Sequence, residues 1–227
     1  MLTVSTLASL AAKWLLPRIS GFQEQHPGID VRITTSTALV DFRRDGVDAA
    51  IRYGHGKWPG LRADWLMADK MFPVCSPALL ARGPPLETPD ALTRHVLLHD
   101  AVAERDGSGC AWVDWMRSAG LMVPCEAGPR FSQAHLTVQA AAEGLGVALA
   151  RASLVGGDIA EGRLVRVFAH AARTSFSYHL VRPAKAPSQP CAAAFTDWLV
   201  DEAAAWLTSE REARHRYRPP GSAAGQP

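Results

Sequence analysis

The clearest structural pattern in the chain lies in residues 28–58, GIDVRITTSTALVDFRRDGVDAAIRYGHGKW. Apolar and polar residues alternate from Ile29 to Thr34, which is the period of a half-buried strand. The hydroxyl cluster at 34–37 ends that strand and offers cap oxygens for a helix, which we predict to end at Gly46. Residues 49–51 are typical of a strand buried on both faces. The pattern predicts a parallel strand–helix–strand unit with a right-handed crossover.

This unit has two interpretations. A hydroxyl-rich turn at the carboxyl end of a parallel strand is the place where open α/β sheets bind ligands. The alternative is an ordinary α/β unit, in which the serines and threonines only cap a helix. The pattern alone leaves both interpretations open.

Composition and charge limit the classes of protein that fit. The 227 residues are enough for one large or two small domains, and 48% apolar content supports a hydrophobic core. A net charge of +2, from 24 basic and 22 acidic residues, argues against non-specific binding to a nucleic-acid backbone. The 4 cysteines form no CxxC pair, so they predict neither a zinc ribbon nor a disulfide scaffold. A reduced, cytoplasmic setting fits them best.

The amino-terminal segment MLTVSTLASLAA superficially resembles a signal peptide but has no basic residues at its start. We interpret it as a strand from Leu2 to Ser5 followed by a helix. The sequence contains no apolar run approaching the roughly 20 residues that a membrane span needs. It therefore predicts no contact with a membrane.

The order of predicted elements indicates two α/β lobes joined by two crossing strands, near 71–75 and 175–180. We place lobe I at residues 1–73 and 176–209 and lobe II at residues 74–175. Residues 210–227 are charged and then rich in proline, glycine, serine and alanine, a composition that predicts a disordered tail.

Catalytic motifs are scarce. The sequence has no GxSxG, HExxH, Walker or GxGxxG motif. His95 and His99 flank a predicted strand, so we do not expect them to share a metal ion. We predict no enzyme activity, no catalytic residues, no cofactor and no metal site.

Six segments follow one another along the chain. They are TVSTLASLAAKWLLPRI (3–19), F-x-x-x-HP-x-I-x-V-x-I (22–33), VDFRRDGVDAAIRYGHGKWPGL (40–61), MFPVCSPALLA (71–81), GPRFSQAHLTVQAAAEGLGVALARASLV (128–155) and GRLVRVF (162–168). In this order they resemble the effector-binding domain of LysR-type transcriptional regulators, and within that family the subgroup of glycine-cleavage and beta-lactamase regulators. The resemblance covers residues 1–208. It implies an α/β fold of two Rossmann-like lobes, similar to the type 2 periplasmic binding proteins, with an effector held in the cleft between the lobes.

The resemblance also implies a set of ligand-binding positions. Relatives carry hydroxyl groups after the first two strands, a motif Ile-Arg-aromatic-Gly, a serine pair after the strand at Arg130-Phe131, and an aromatic residue on the returning strand. The serine pair is replaced here by Ala134 and His135, so His135 adds a titratable group. The implied ligand-binding residues are Ser5, Thr6, Ser36, Thr37, Tyr53, His55, Gln133, His135 and Tyr178.

The predicted function is a regulatory domain that binds a small-molecule effector, with a carboxylate or amide-rich ligand preferred. The alternative function is a periplasmic-type solute-binding protein, and a third is an α/β enzyme. We expect a cytoplasmic homodimer, paired through the helices near 8–22 and 136–143. LysR-type regulators begin with a winged helix-turn-helix, whereas this chain starts at the first effector-domain strand. We therefore expect DNA contact only through such a missing domain.

Overall fold

The computed structural model describes residues 1–184 and 189–217, without the side chains of residues 214–216. The chain forms two compact units. Unit 1 comprises Met1–Asp69 and Ser175–Arg211, and unit 2 comprises Lys70–Thr174 together with the chain from Glu212 onward. Each unit combines a sheet with helices, which confirms the predicted α/β class.

The sheet of unit 1 is built around its first strand. Strand β1 (Leu2–Thr6) lies between β2 (Val31–Thr35) and β3 (Ala49–Gly54), and both pairings are parallel. Strand β3 pairs antiparallel with β9 (Ala172–Pro183). Strands β4 (Leu61–Cys75) and β9 both contribute residues to the two units. The carboxyl ends of β1, β2 and β3 therefore meet at one edge.

The first helix contains an irregular turn. Helix α1 (Ala8–Leu10) continues into a π-helical turn (Ala11–Leu15) and then into α2 (Leu16–Gln25). The Leu16 N–H donates to the Ala11 carbonyl, five residues back. Pro17 follows directly and has no N–H, so the α-helical pattern cannot continue unchanged through this turn. Leu10, Trp14 and Phe22 are all buried along this helix.

The prediction of a helix between the hydroxyl cluster at 34–37 and Gly46 is wrong. Residues 36–46 form bends and turns, and Leu39 is 58% exposed, so no apolar face packs against the sheet. The Asp41 carboxylate accepts the Arg43 N–H, and the Asp45 carboxylate accepts the Asp41 N–H, each at 3.0 Å. Such local side-chain bonds compete with a helix. The predicted parallel crossover also differs in detail, because β1 lies between β2 and β3.

The strands of unit 2 lie in the order β4, β7, β5, β6, with β8 beside β4. Its strands are β5 (Leu97–Asp100), β6 (Arg130–Phe131), β7 (Val147–Arg151) and β8 (Val165–Arg166). Its helices are α3 (Pro77–Arg82), a 3-10 helix (Pro89–Arg94), α4 (Trp112–Ser118), α5 (Ala134–Ala142) and α6 (Ala152–Ala160). Trp115 is fully buried, and the indole of Trp112 donates to the Leu98 carbonyl at 3.0 Å.

The carboxyl-terminal helix is longer than the sequence indicates. Helix α7 (Pro190–Arg216) extends through the first part of the predicted disordered tail. Glutamate, alanine and arginine in this part are strong helix formers, which explains the extension. The Tyr217 hydroxyl donates to the Val167 carbonyl at 2.9 Å, and the Arg166 guanidinium lies over the Tyr217 ring. The rest of the predicted tail, 218–227, lies outside the described residues.

None of the helices within the described residues is long and apolar enough to span a membrane.

Candidate functional site

The end of β1 carries two buried hydroxyl groups. Ser5 is 2% exposed and Thr6 is fully buried. The Thr6 carbonyl accepts the Ser36 N–H at 2.9 Å, which holds the turn after β2 against the end of β1. The Thr6 hydroxyl itself has no hydrogen-bond partner among the described residues. A buried hydroxyl is normally paired, so this atom is a candidate to bond an effector.

Ser36 and Thr37 lie on the exposed turn after β2 and do not begin a helix. The Ser36 hydroxyl accepts the Ala38 N–H at 3.0 Å, as in a serine turn. Thr34 and Thr35, the register partners of Ser5 and Thr6, precede this turn. The structure thus brings the hydroxyl groups of two adjacent strand ends to one edge of unit 1.

Aromatic side chains stand beside this edge. Tyr53 and Tyr178 are register partners on β3 and β9, with ring centroids 4.7 Å apart. Phe176 lies edge-on to Tyr53 at 5.4 Å and edge-on to the exposed His55 at 4.6 Å. Tyr178 is buried, whereas Tyr53 is half-buried. Aromatic walls with a few polar groups are typical of small-molecule sites.

The loop after β3 is held close to β9. Gly56 has a φ of +78°, and a Cβ at this position would lie 2.5 Å from Nε2 of His179. Only glycine fits this position without a shift. Burial lowers the pKa of His179, whose Nδ1 lies 3.0 Å from the Ser177 carbonyl oxygen. The Trp58 ring packs edge-on against His179 at 5.5 Å.

Sequence reasoning missed Arg52, which lies between Ile51 and Tyr53 on β3. Its side chain is 5% exposed and donates to the Ser5 hydroxyl at 2.8 Å. A charged residue directly after a segment predicted to be buried on both faces was the available signal. Arg52 connects β3 directly to one of the predicted ligand-binding residues.

In unit 2, the predicted residues Gln133 and His135 lie at the start of α5. Gln133 is the N-cap residue, and its side chain makes no cap hydrogen bond. Thr137, one turn further along, is 2% exposed, and its hydroxyl has no hydrogen-bond partner among the described residues. It borders a cavity of about 10 Å³, which is enough for one water molecule. Sequence reasoning missed Thr137 as well.

Metal-binding groups are not clustered in the part of the chain that the structure describes. Within residues 1–184 and 189–217, no group of three or more histidine, cysteine, aspartate or glutamate side chains is arranged to hold a metal ion. The four cysteines are free thiols: Cys75, Cys110, Cys125 and Cys191.

Comparison with known proteins identifies close relatives. Residues 1–204 match the family model of the LysR substrate binding domain. The glycine cleavage system transcriptional activator of Escherichia coli K12 is 42% identical over 217 residues, covering 95% of this chain and 68% of the relative. The transcriptional activator AmpR of Rhodobacter capsulatus is 34% identical over 204 residues, covering 90% and 67%.

Solved structures give the same result. The effector domain of AmpR from Pseudomonas aeruginosa has a TM-score of 0.79 and 33% identity, covering 93% of this chain and 99% of that one. The AmpR effector binding domain of Citrobacter freundii has a TM-score of 0.75 and 29% identity, covering 90% and 98%. These relatives are transcriptional regulators, so the alternative of a periplasmic solute-binding protein is not favoured.

Proposed function

This chain belongs to the LysR substrate-binding domain family, and we propose that it binds its effector where β1, β2 and β3 of unit 1 end. It is an effector-binding domain of the LysR transcriptional-regulator type. Regulators of this family bind small-molecule effectors, act as oligomers and bind DNA. The proposal adds the position of the effector and its chemical class.

The buried Thr6 hydroxyl carries the proposal. It has neither solvent nor a hydrogen-bond partner among the described residues. Leaving a buried polar group unpaired costs about 1–3 kcal/mol. An acceptor atom on an effector would remove this cost.

The neighbouring groups support a small, partly apolar ligand. Ser36 and Thr37 offer hydroxyl groups, and Tyr53 and Tyr178 offer ring surface with a phenol group on each. These donors are neutral, which suits a carboxylate or an amide-rich molecule better than a phosphate with several charges. His55, at the exposed end of the aromatic group, completes the proposed set in unit 1.

Unit 2 supplies a second proposed binding group. Gln133 and His135 lie in the first turn of α5, where unpaired backbone N–H groups favour an acceptor or an anion. The Gln133 side chain makes no cap hydrogen bond in this turn. We therefore include both residues as ligand-binding positions.

The effector acts by changing populations of conformations. A ligand that binds one conformation of the domain more tightly shifts the balance toward that conformation. The domain needs no catalytic chemistry for this role, and we infer a non-enzymatic, dimeric, cytoplasmic regulator. In a full regulator, the shift is passed to a DNA-binding part.

A thermal-shift screen with amino acids, small carboxylates, primary amides and cell-wall peptides tests the proposed function. For a compound that raises the melting temperature, Thr6→Val should weaken binding by about fivefold or more, because the acceptor loses its donor. Thr6→Val should not lower the melting temperature of the ligand-free protein, because it removes an unpaired polar atom.

The control variant is Thr208→Val, an exposed threonine of unit 1 whose hydroxyl donates to the Ala204 carbonyl of its own helix. It should bind the compound as the wild type does. Equal binding by the Thr6→Val variant would place the effector elsewhere.

A further inference from the structure

Arg52 is a buried cation at the proposed effector site. It is 5% exposed, and its guanidinium donates to the Ser5 hydroxyl at 2.8 Å, the Ile51 carbonyl at 3.1 Å and the Ala38 carbonyl at 3.4 Å. These contacts join β3, the end of β1 and the turn after β2. Its Nε has no hydrogen-bond partner among the described residues.

This cation has no counter-ion within the described part of the chain. All three of its acceptors are neutral oxygen atoms. Burial lowers the pKa of Arg52, and no carboxylate opposes that effect. A buried positive charge without a counter-ion is costly, and it creates a positive potential in its surroundings. That potential favours a negative charge placed nearby.

The contact between Arg52 and Ser5 also orients the Ser5 hydroxyl group. The strand register pairs Ser5 with Ala50, so Ser5 and Arg52 share one face of the sheet. Because Arg52 donates to the Ser5 oxygen, the Ser5 hydroxyl is set to act as a donor. Within the described residues, the structure gives its hydrogen no acceptor. A ligand that offers an acceptor fits this arrangement. A carboxylate and an amide both offer an acceptor oxygen, so the charge of Arg52 is what separates the two.

We propose that Arg52 determines effector specificity by orienting the Ser5 hydroxyl as a donor and by favouring a carboxylate over the corresponding amide. This inference rests on the proposed site at the ends of β1, β2 and β3, and it chooses between the two ligand classes named there. Arg52 is a positioning residue, because it acts through Ser5 and through its charge.

Matched pairs of an acid and its primary amide test this inference. The probes are propionate with propionamide, benzoate with benzamide, and N-acetylglycine with N-acetylglycinamide. Titrations followed by the amide signals of Ser5 and Thr6 in ¹⁵N–¹H spectra report binding at this edge. For at least one pair, the wild type should bind the acid about tenfold more tightly than the amide, since charge-assisted hydrogen bonds are roughly twice as strong as neutral ones.

Arg52→Gln should reduce this ratio to about threefold or less, because glutamine keeps a donor but removes the charge. Arg52→Lys should keep the preference for the acid. The control is Arg32→Gln, which removes the same formal charge from an exposed position on β2 and should leave the ratio unchanged. If Arg52→Gln does not fold, Ser5→Ala decides: it should weaken the acid more than the amide.

The outcomes separate this inference from the proposed function. Equal affinity for acids and amides in the wild type, or an unchanged ratio in Arg52→Gln, overturns the role of Arg52 and leaves the site intact. In the Ser5→Ala variant, equal losses for acid and amide overturn it too. If no probe moves the Ser5 and Thr6 signals, the proposed site itself fails.

Discussion

Cys75, at the end of β4, is fully buried, and burial raises the pKa of its thiol to about 12. The thiolate is the reactive form of cysteine, so Cys75 should resist alkylation in the folded protein at pH 8. Cys191 at the start of α7 is only half-buried and should react first. Peptide mapping by mass spectrometry after brief treatment with N-ethylmaleimide measures both rates. Similar rates at the two positions would contradict the structure.

Asp64 contributes pH-dependent stability to unit 1. Burial raises the pKa of its carboxyl, but hydrogen bonds and charges from Arg182 and Arg62 outweigh burial, so the pKa lies below its ordinary value. A carboxyl whose pKa is lower in the folded state adds stability above about pH 4, and this stability is lost as the pH falls further. The closest contact joins Nη2 of Arg182 to Oδ2 of Asp64 at 2.6 Å.

Asp64→Asn should therefore lower the free energy of unfolding by about 1 kcal/mol at pH 7, a value typical of partly exposed ion pairs. The difference from the wild type should shrink below about pH 4. Urea denaturation at several pH values measures this trend. Asp30→Asn, at an exposed position just before β2, is the control. A loss of stability that is the same at pH 3 and pH 7 would contradict the predicted contribution of this ion pair.

Among the single residues of the candidate site, sequence patterns indicate chemical type better than orientation. The hydroxyl groups of Ser5 and Thr6 are visible in the sequence, and so is Tyr178. The unpaired state of the Thr6 hydroxyl depends on which neighbours surround it, and no local pattern encodes those neighbours. The bond between Arg52 and Ser5 joins positions 47 residues apart, so it follows only from the strand register.

Strands and most helices follow the sequence pattern, because burial imposes a regular spacing on them. The turn after β2 does not follow its pattern, because the Asp41 and Asp45 carboxylates accept hydrogen bonds from local backbone N–H groups. Leu39 is exposed there and does not pack against the sheet. For helix α7 the error is the opposite, because a helix forms where the sequence predicted disorder. Its last turns carry many charges, which suggested disorder, but their intrinsic helix propensity is high.

The contacts of Tyr217, the residue that follows α7, should contribute to the stability of unit 2. Tyr217 donates to the Val167 carbonyl, and the Arg166 guanidinium lies between the rings of Phe72 and Tyr217, 4.4 and 4.9 Å from their centroids. Tyr217→Phe should cost about 1 kcal/mol by removing one hydrogen bond. Tyr217→Ala should cost more, because the cation–π contact is lost as well.

Hydrogen exchange of the backbone amides near β8 measures this contact locally. Both Tyr217 variants should speed exchange near Val167, and alanine should have the larger effect. Thr93→Val, at an exposed position in the 3-10 helix of the same unit, is the control. Unchanged exchange in Tyr217→Ala would mean that the contact adds no stability.

For the molecule as a whole, the α/β class and the family follow from sequence, because ordered motifs extend over most of the chain. The boundaries of the units depend on packing between distant segments. In the structure, the first segment of unit 1 ends at Asp69 within β4, and its second segment begins at Ser175 within β9. Both strands continue without interruption through these positions. Periodicity within a continuous strand gives no sign of such a limit.

Self-association is the prediction that concerns the whole molecule. Leu16 is 52% exposed in unit 1 and Leu136 is 42% exposed in unit 2, each on a helix expected to pair with a second copy. Leu16→Glu and Leu136→Glu should each weaken the dimer by at least about tenfold, since a charge would be buried in an apolar contact.

Analytical ultracentrifugation at tens of micromolar measures this change. At about 20–50 μM, a dimer with a Kd near about 1 μM is well populated. Met122→Glu, at a loop position that is 95% exposed, is the matched control and should remain dimeric. A monomeric wild type, or variants that stay dimeric, would contradict the predicted surfaces.

The π turn at Ala11–Leu15 has an evolutionary consequence. A regular α-helix rotates by about 100° per residue, so it would place Phe22 about 120° around the axis from Leu10. Both residues are buried, and the wider π turn reduces this angle. The helix thus accommodates one residue more than a regular α-helix needs. We therefore expect relatives that are shorter by one residue in this turn to bury the same two side chains on a regular α-helix.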